Sequence, residues 1–398
     1  MSDILEKLKA LGVTKGMPST AAKQPSQQNK TDGLNALRAE FPSGIVVENE
    51  FGPCFINRLK HPLTEPHGGV DMSLQLSEST LFDAITGMSI PTKEETLAFD
   101  TETSGLSNGS GSFIFMLGLG YFEDDVYIVD QLILPDLSYE KAFLRQTELI
   151  FSRYSYLLSY NGKSFDVPML QSRLNFHLFP DFTRDIRHLD LLYITRRYWK
   201  PALGRVPLSN IEKYILKLKR GDEEVPGYMA PDLYRDFLRS SDASNIAGVA
   251  YHNWIDVVSL SAFLIYLNDL CRRGGEDHSV WEKNGVPEKI LLRHHPDLFS
   301  AFSPDKLDAF SEKEKKAIAL KFIKNGETEK AEAILEFLAE KGDADSAHRL
   351  MKMALKDHEE ERFERYKDLT ILLLQSDETL GYWSGQEKIK KIRAVQFK

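Results

Sequence analysis

Thr-Leu-Ala-Phe-Asp-Thr-Glu-Thr-Ser, residues 96–104, decides the reading of this chain. Four apolar or β-branched residues lead into an acid, a spacer and a second acid. On a β-strand, side chains i and i+2 point to one face. Asp100 and Glu102 therefore stand together at the end of a buried strand. Two like charges that close are costly unless a cation neutralises them. A divalent metal pair suits that task. Asp-x-Glu alone is a common pattern, equally suited to a strand that ends in a solvated acidic turn.

The strand has company. Apolar and alternating runs at 113–122, 125–134 and 155–160 read as strands. Helical periodicity occupies 138–152, with Ser138 as its N-cap, then 165–177, 190–199, 208–217, 231–239 and 243–272. Three strands, a helix, a strand and further helices predict a mixed α/β sheet covered by helices. Before it, residues 35–94 carry short alternating runs and read as a small β-rich extension, with His61 and His67 in structural roles in a Pro/Gly-rich turn. Residues 1–34 read as a flexible tail, with a short helix at 1–12 and a polar linker at 17–33. After residue 275 the strand signals end. Segments 316–324, 328–341, 345–356 and 359–374 read as charged amphipathic helices, with Thr328 and Asp345 as N-caps. Ala317/Leu320 and Ala347/Leu350 recur 30 residues apart, near the length of a helical-hairpin repeat. The expected division is 1–34, 35–94, a catalytic domain at 95–274 and an all-helical, TPR-like C-terminal domain at 275–398.

Composition bounds the class. The chain has 398 residues, 42% hydrophobic and 11% aromatic, enough for two or three domains with real cores. Cys54 and Cys271 are the only cysteines, so neither a disulfide framework nor a zinc cluster is available. No apolar run reads as a membrane span, and the N-terminus lacks a signal peptide. These features point to the cytoplasm. The net charge of −9 argues against coating nucleic acid by charge. Residues 184–220 nevertheless hold ten Lys or Arg against three acids, a local balance of +7 suited to a phosphate backbone and equally to a solvated face.

Two further segments carry acids. In Ser-Tyr-Asn-Gly-Lys-Ser-Phe-Asp, 159–166, an Asn-Gly turn follows a buried strand and Phe165-Asp166 opens a helix. Ligands of open α/β sheets bind at such carboxyl ends of strands. In Tyr-His-Asn-Trp-Ile-Asp, 251–256, His252 and Asp256 are four apart and face one side of a helix. His is suited to take a proton near neutral pH. Each of these also has an ordinary structural explanation, a helix-dipole contact for Asp166 and a surface hydrogen bond for the His–Asp pair. Asp190 is a further acid, Cys271 reads as core, and Phe113, Phe115 and Tyr160 suit either core or base-stacking roles. The glycine-rich 107–113 lacks the ending of a phosphate loop and reads as a turn.

Taken in order, the three segments resemble the exonuclease motifs of the DEDD superfamily within the ribonuclease-H-like fold. Asp100-x-Glu102 resembles the first, Asn161-x-x-x-Phe165-Asp166 the second and His252-x-x-x-Asp256 the third. The flanks His-Leu-Asp-Leu-Leu-Tyr (188–193), Arg-Arg-Tyr-Trp (196–199), Leu-Ser-Asn-Ile-Glu (208–212), Pro-Gly (226–227) and Leu-Tyr-Arg-Asp-Phe-Leu (233–238) resemble the YprB-like ribonuclease-H-like domain family. The resemblance covers about 95–272. It implies two-metal hydrolysis of nucleic-acid phosphodiesters, with 3′→5′ exonuclease action. Asp100, Glu102, Asp166 and Asp256 would then hold two Mg²⁺ or Mn²⁺ ions, with Asp100 bridging, and His252 would be the base. Thr101, Asn161, Phe165, Arg196, Arg197 and Tyr251 are the substrate-side candidates. One departure stands out: the family places Tyr four, or His five, before the last Asp, whereas here His252 is four before and Tyr251 five. Five residues lie about 140° around a helix, so His252 fits better and Tyr251 stays open. Structure-specific endonuclease, small-nucleotide phosphohydrolase and a silent nucleic-acid-binding scaffold with a helical partner-binding domain are the rival readings.

Overall fold

The computed structural model describes residues 27–105, 111–221, 225–277, 279–295, 310–376 and 382–397. The helix expected at 1–12 and much of the glycine-rich turn at 107–113 lie outside them. The described residues form two compact units. Of the described residues, one unit draws on those within 27–63, 94–188 and 220–258, the other on those within 64–93, 189–219 and 259–397. The units interleave in sequence, so the expected linear boundaries at 94 and 274 do not delimit them.

The first unit is organised by a seven-stranded mixed sheet. Its strands are β1 (Gly44–Asn49), β2 (Gly52–Pro62), β3 (Thr96–Thr103), β4 (Ile114–Glu123), β5 (Val126–Ile133), β6 (Tyr156–Ser159) and β7 (Arg187–Asp190), in the order β1-β2-β5-β4-β3-β6-β7. The ladders from β1 to β3 are antiparallel, and β3 pairs parallel with β6. The stretch read as an extension thus supplies two strands of the same sheet, β2 pairing with β5. Strand pairing is non-local, and alternation alone cannot name the partner.

Apolar strand residues bury both faces of the centre. Leu97, Phe99, Leu117, Leu119 and Leu157 on one face, and Ala98, Met116 and Leu158 on the other, are all but inaccessible, as parallel and central strands require. Helices cover them: α1 (Gln27–Glu40), α3 (Glu140–Phe151), α4 (Asp166–Phe176), α6 (Ala230–Ser240) and the first half of α7 (Ser244–Glu276). The second unit includes, by itself, α2 (Thr80–Thr86) and α5 (Leu191–Tyr198).

Several expectations need correction. Residues 27–33, read as linker, belong to α1, whose Leu37 is fully buried. The helix expected from 138 starts at Glu140 after a 3₁₀ turn. Its entry is capped by Asp136, whose carboxylate accepts the Ser138 N–H at 2.6 Å; Ser138 is not the N-cap. The 208–217 helix is a short α-turn followed by a π-turn, Glu212–Leu216. Strand β7 occupies residues expected to precede or begin a helix. Helix α7 is also long and apolar enough to cross a membrane by length and composition, with mean hydropathy 1.4. Of that window 78% is buried inside the protein, which makes it a core helix.

In the second unit, Trp199, Phe263 and Trp281 form an aromatic centre, with Trp199 edge-on to Phe263 at 5.6 Å. Its helices α8 (Glu312–Lys324), α9 (Thr328–Glu340), α10 (Ala344–Lys356), α11 (Glu360–Ser376) and α12 (Tyr382–Arg393) each pack on the next. The N-caps are Glu327 and Asp343, in place of Thr328 and Asp345; Asp343 accepts from Ser346 N–H at 2.9 Å.

Candidate active site

Asp100 and Glu102 lie on β3, where the ladder to β4 shifts register between Glu102 and Thr103. Such bulges re-aim side chains next to sites. Parallel β6 ends beside them, and its continuation turns at Asn161, which takes a left-handed φ of 69°. Asn tolerates that conformation better than most residues. Gly162 follows because a Cβ there would lie 2.5 Å from Ser159 Oγ. The Asn161 carbonyl accepts the N–H groups of Ser164 and Phe165, and α4 then begins at Asp166.

Helix α7 reaches the same place from above the sheet. Gly118 of β4 pairs with Asp100, and a Cβ on it would lie 2.2 Å from Asn253 Oδ1 and 2.8 Å from Val257 Cγ2. The missing side chain lets the helix sit directly on the sheet. Asn253 then donates from Nδ2 to Asp100 Oδ2 at 3.0 Å and, more weakly, to the Asp100 carbonyl at 3.3 Å. His252 and Asp256 occupy the same stretch of helix, with Nε2 and Oδ2 3.6 Å apart.

The electrostatics show that four carboxylates share one region. The Asp100 carboxyl is held well above the ordinary carboxylate range, first by desolvation, then by the charges of Asp256, Asp166 and Glu102; the Asn253 hydrogen bond acts in the opposite sense. Glu102, 8% exposed, is raised likewise by desolvation and then by Asp256 and Asp166. Asp166 accepts a short hydrogen bond from the Thr101 hydroxyl. Arg220 pairs with Asp256 through Nη2, and its Nη1 donates to His252 Nδ1 at 3.1 Å. That bond uses the Nδ1 lone pair and leaves the imidazole proton on Nε2. Among the described residues, no three acid, His or Cys side chains converge closely enough to grip an ion as they stand. The donor set is nonetheless all oxygen and mutually repulsive, which suits hard divalent cations.

Residues 97–268 match a family model described as RNase_H superfamily. Residues 97–268 thus resemble the RNase H superfamily. The chain is also 34% identical, over 256 residues, to the uncharacterized protein YprB of Bacillus subtilis (strain 168), a match covering 61% of this chain and 60% of that protein. The matched region is thus ribonuclease-H-like and similar to YprB.

Within this ribonuclease-H-like domain, Asp100, Glu102, Asp166, Asp256 and His252 come together, with Thr101, Asn161 and Phe165 beside them. Thr101 holds Asp166, and half-buried Phe165 forms the entry to α4. Tyr251 lies beside Trp254, ring centres 6.0 Å apart, and the two line a cavity of about 360 Å³ with Phe41, Asn57 and Lys60. Arg196 and Arg197 lie exposed on α5, in the other compact unit. Asp190, in that unit too, caps α5 by accepting the Leu192 N–H at 3.1 Å. Phe115 is core, stacked on Tyr234 at 4.2 Å, and Cys271 is buried. His67 is structural, 2.8 Å from Ser259 Oγ.

Sequence reasoning missed Asn253 and Arg220. Asn253 sits inside the third motif, and its signal was Gly118, placed where only a close helix needs it. Arg220 ends the basic run at 184–220, where charge alone does not single it out.

Proposed function

We propose that this domain hydrolyses nucleic-acid phosphodiesters with divalent metal, as a 3′→5′ exonuclease. The observation that carries this reading is the gathering of Asp100 and Glu102 on β3, Asp166 at the start of α4 and Asp256 on α7, joined by the Thr101–Asp166 and Asn253–Asp100 hydrogen bonds. Four carboxylates, Glu102 and Asp166 buried and Asp100 and Asp256 half-buried, repel one another without counter-charge, and two divalent ions balance them. Asp100, Glu102, Asp166 and Asp256 would hold Mg²⁺ or Mn²⁺, which supply charge neutralisation and a water of lowered pKa when bound. Asn253 and Thr101 orient two of these carboxylates. His252 accepts the proton of the attacking water once Arg220 has withdrawn from Nδ1. The freed guanidinium is then available for a substrate phosphate.

End-labelled single-stranded DNA and RNA, followed over time with Mn²⁺, Mg²⁺ or EDTA, test this beside Asp100→Asn/Glu102→Gln. A metal-dependent ladder of single-nucleotide steps, absent in the double variant, is expected. Cleavage of a circular substrate would replace the exonuclease by an endonuclease. Activity that survives His252→Ala but not Tyr251→Phe would move the base to Tyr251.

One observation favours a second reading. Arg220 already neutralises Asp256, as a silent nucleic-acid-binding protein would tolerate. Binding without cleavage under every metal would select it.

A further inference from the structure

We propose that Asn253 and Gln131 are positioning residues for Asp100, the last links of a buried, one-directional chain of side-chain hydrogen bonds that fixes which oxygen of that carboxylate is free. The proposal rests on the nuclease reading of the acid cluster.

The chain follows one row of the sheet. Asn57 of β2 pairs with Gln131 of β5, Gln131 with Gly118 of β4, and Gly118 with Asp100 of β3. Paired residues in adjacent strands present their side chains to the same face. Gly118 leaves a gap in this row, and Asn253 of α7 fills it. Ser43 Oγ donates to Asn57 Oδ1 at 3.2 Å, and Asn57 Nδ2 to Gln131 Oε1 at 2.9 Å. Gln131 Nε2 donates to Asn253 Oδ1 at 3.0 Å, and Asn253 Nδ2 to Asp100 Oδ2 at 3.0 Å. Every link donates towards the carboxylate.

Two fixed ends settle the direction. Gln131 Nε2 also meets the Ala250 carbonyl at 2.6 Å, and a carbonyl only accepts. Gln131 must therefore turn its nitrogen to α7 and its oxygen to Asn57. At the other end Asn253 Nδ2 also meets the Asp100 main-chain carbonyl at 3.3 Å, which only accepts, so Asn253 must turn its nitrogen to Asp100. Flipping either amide would set donor against donor or acceptor against acceptor. Gln131 and Asn253 are both fully buried, so no water repairs a broken link. Among the described residues, Asp100 Oδ1 accepts no hydrogen bond, which leaves it as the oxygen for an ion. Successive hydrogen bonds in one sense also polarise one another.

The test is calorimetric titration of the full chain with MnCl₂ and no nucleic acid, for wild type, Asn253→Leu and Gln131→Met. Partners of metal ligands typically change affinity by about 10–100-fold when removed, and a loss in that range is expected in both variants. Gln131 is bonded to Asn253 and not to Asp100, so its effect must travel through the chain. A lowered melting temperature with wild-type Mn²⁺ affinity would mean a structural role only and would overturn the proposal. Should Gln131→Met not fold, Asn253→Ser replaces it under the same criterion. A wild-type chain that binds no Mn²⁺ overturns the nuclease reading. The positioning proposal then stands or falls on the Gln131 side-chain amide resonance, which Asp100→Asn must shift.

Discussion

Gly118 faces Asp100 across the β3–β4 ladder, and the space its absent side chain leaves is occupied by the Asn253 amide. Both Asn253 and Val257 are fully buried there, so neither can yield to an added methyl group. Gly118→Ala is expected to cost about 1–3 kcal/mol through overpacking. Thermal melts would show it, and nuclease activity would fall with it because α7 must lift away from Asp100. An unshifted melting temperature would mean that the helix is seated more loosely than this contact requires.

Arg220 competes with any cation for Asp256. Arg220→Gln removes that competitor and is expected to tighten Mn²⁺ binding, measured without nucleic acid, by about tenfold, the equivalent of roughly 1.4 kcal/mol. The same variant is expected to bind single-stranded nucleic acid more weakly, since a phosphate-contacting cation is gone. Weaker Mn²⁺ binding would instead make Arg220 a support for the ion site.

Asp100 and Glu102 bind protons more tightly in the folded protein than in the unfolded chain. Their contribution to stability is complete below the ordinary carboxylate range and is lost as pH rises through the elevated folded values. At neutral pH and without metal, Asp100→Asn/Glu102→Gln is therefore expected to melt above wild type. Its advantage shrinks as pH falls to the ordinary carboxylate range. Melting curves in EDTA across that interval check this, and a pH-independent difference would refute it.

Glu140 at the start of α3 and Arg173 of α4 form a buried two-point pair, with both N–O distances 2.6 Å, and His177 Nε2 adds a third contact at 2.6 Å. This pair ties down the helix that begins at Asp166. Arg173→Met leaves the buried Glu140 carboxylate with His177 alone and is expected to cost about 3 kcal/mol. Glu140→Leu/Arg173→Met is expected to recover most of that loss, as a double-mutant cycle in denaturant would show.

Much of the frame around the acid cluster is legible in the sequence. Runs such as 96–100 and 155–160 announce buried strands because their residues are apolar on both faces, and the acids stand at their ends. Strand β7 escaped because four residues, Arg-His-Leu-Asp, carry too little periodicity to outweigh the helix behind them. Helix α1 escaped because its visible half is Gln, Asn, Lys and Thr, and only the Leu34–Leu37 side faces the core. Asn253 and Gln131 escaped for a different reason. A buried amide is recognised by its partners, and these come from strands about a hundred residues apart in the chain, an order of separation that local patterning does not encode.

The seating of β2 against β5 bears on how this protein can be cut. Eight residues of β2, Phe55–Pro62, satisfy the outer edge of β5. A fragment begun at residue 95, where the catalytic motifs start, would bare that edge as a row of unpaired N–H and C=O groups. Exposed edges of this kind recruit strands from other chains. Trimmed to its recognisable motifs, the protein would trade an intramolecular strand for intermolecular ones, so its smallest well-behaved form begins before Gly44.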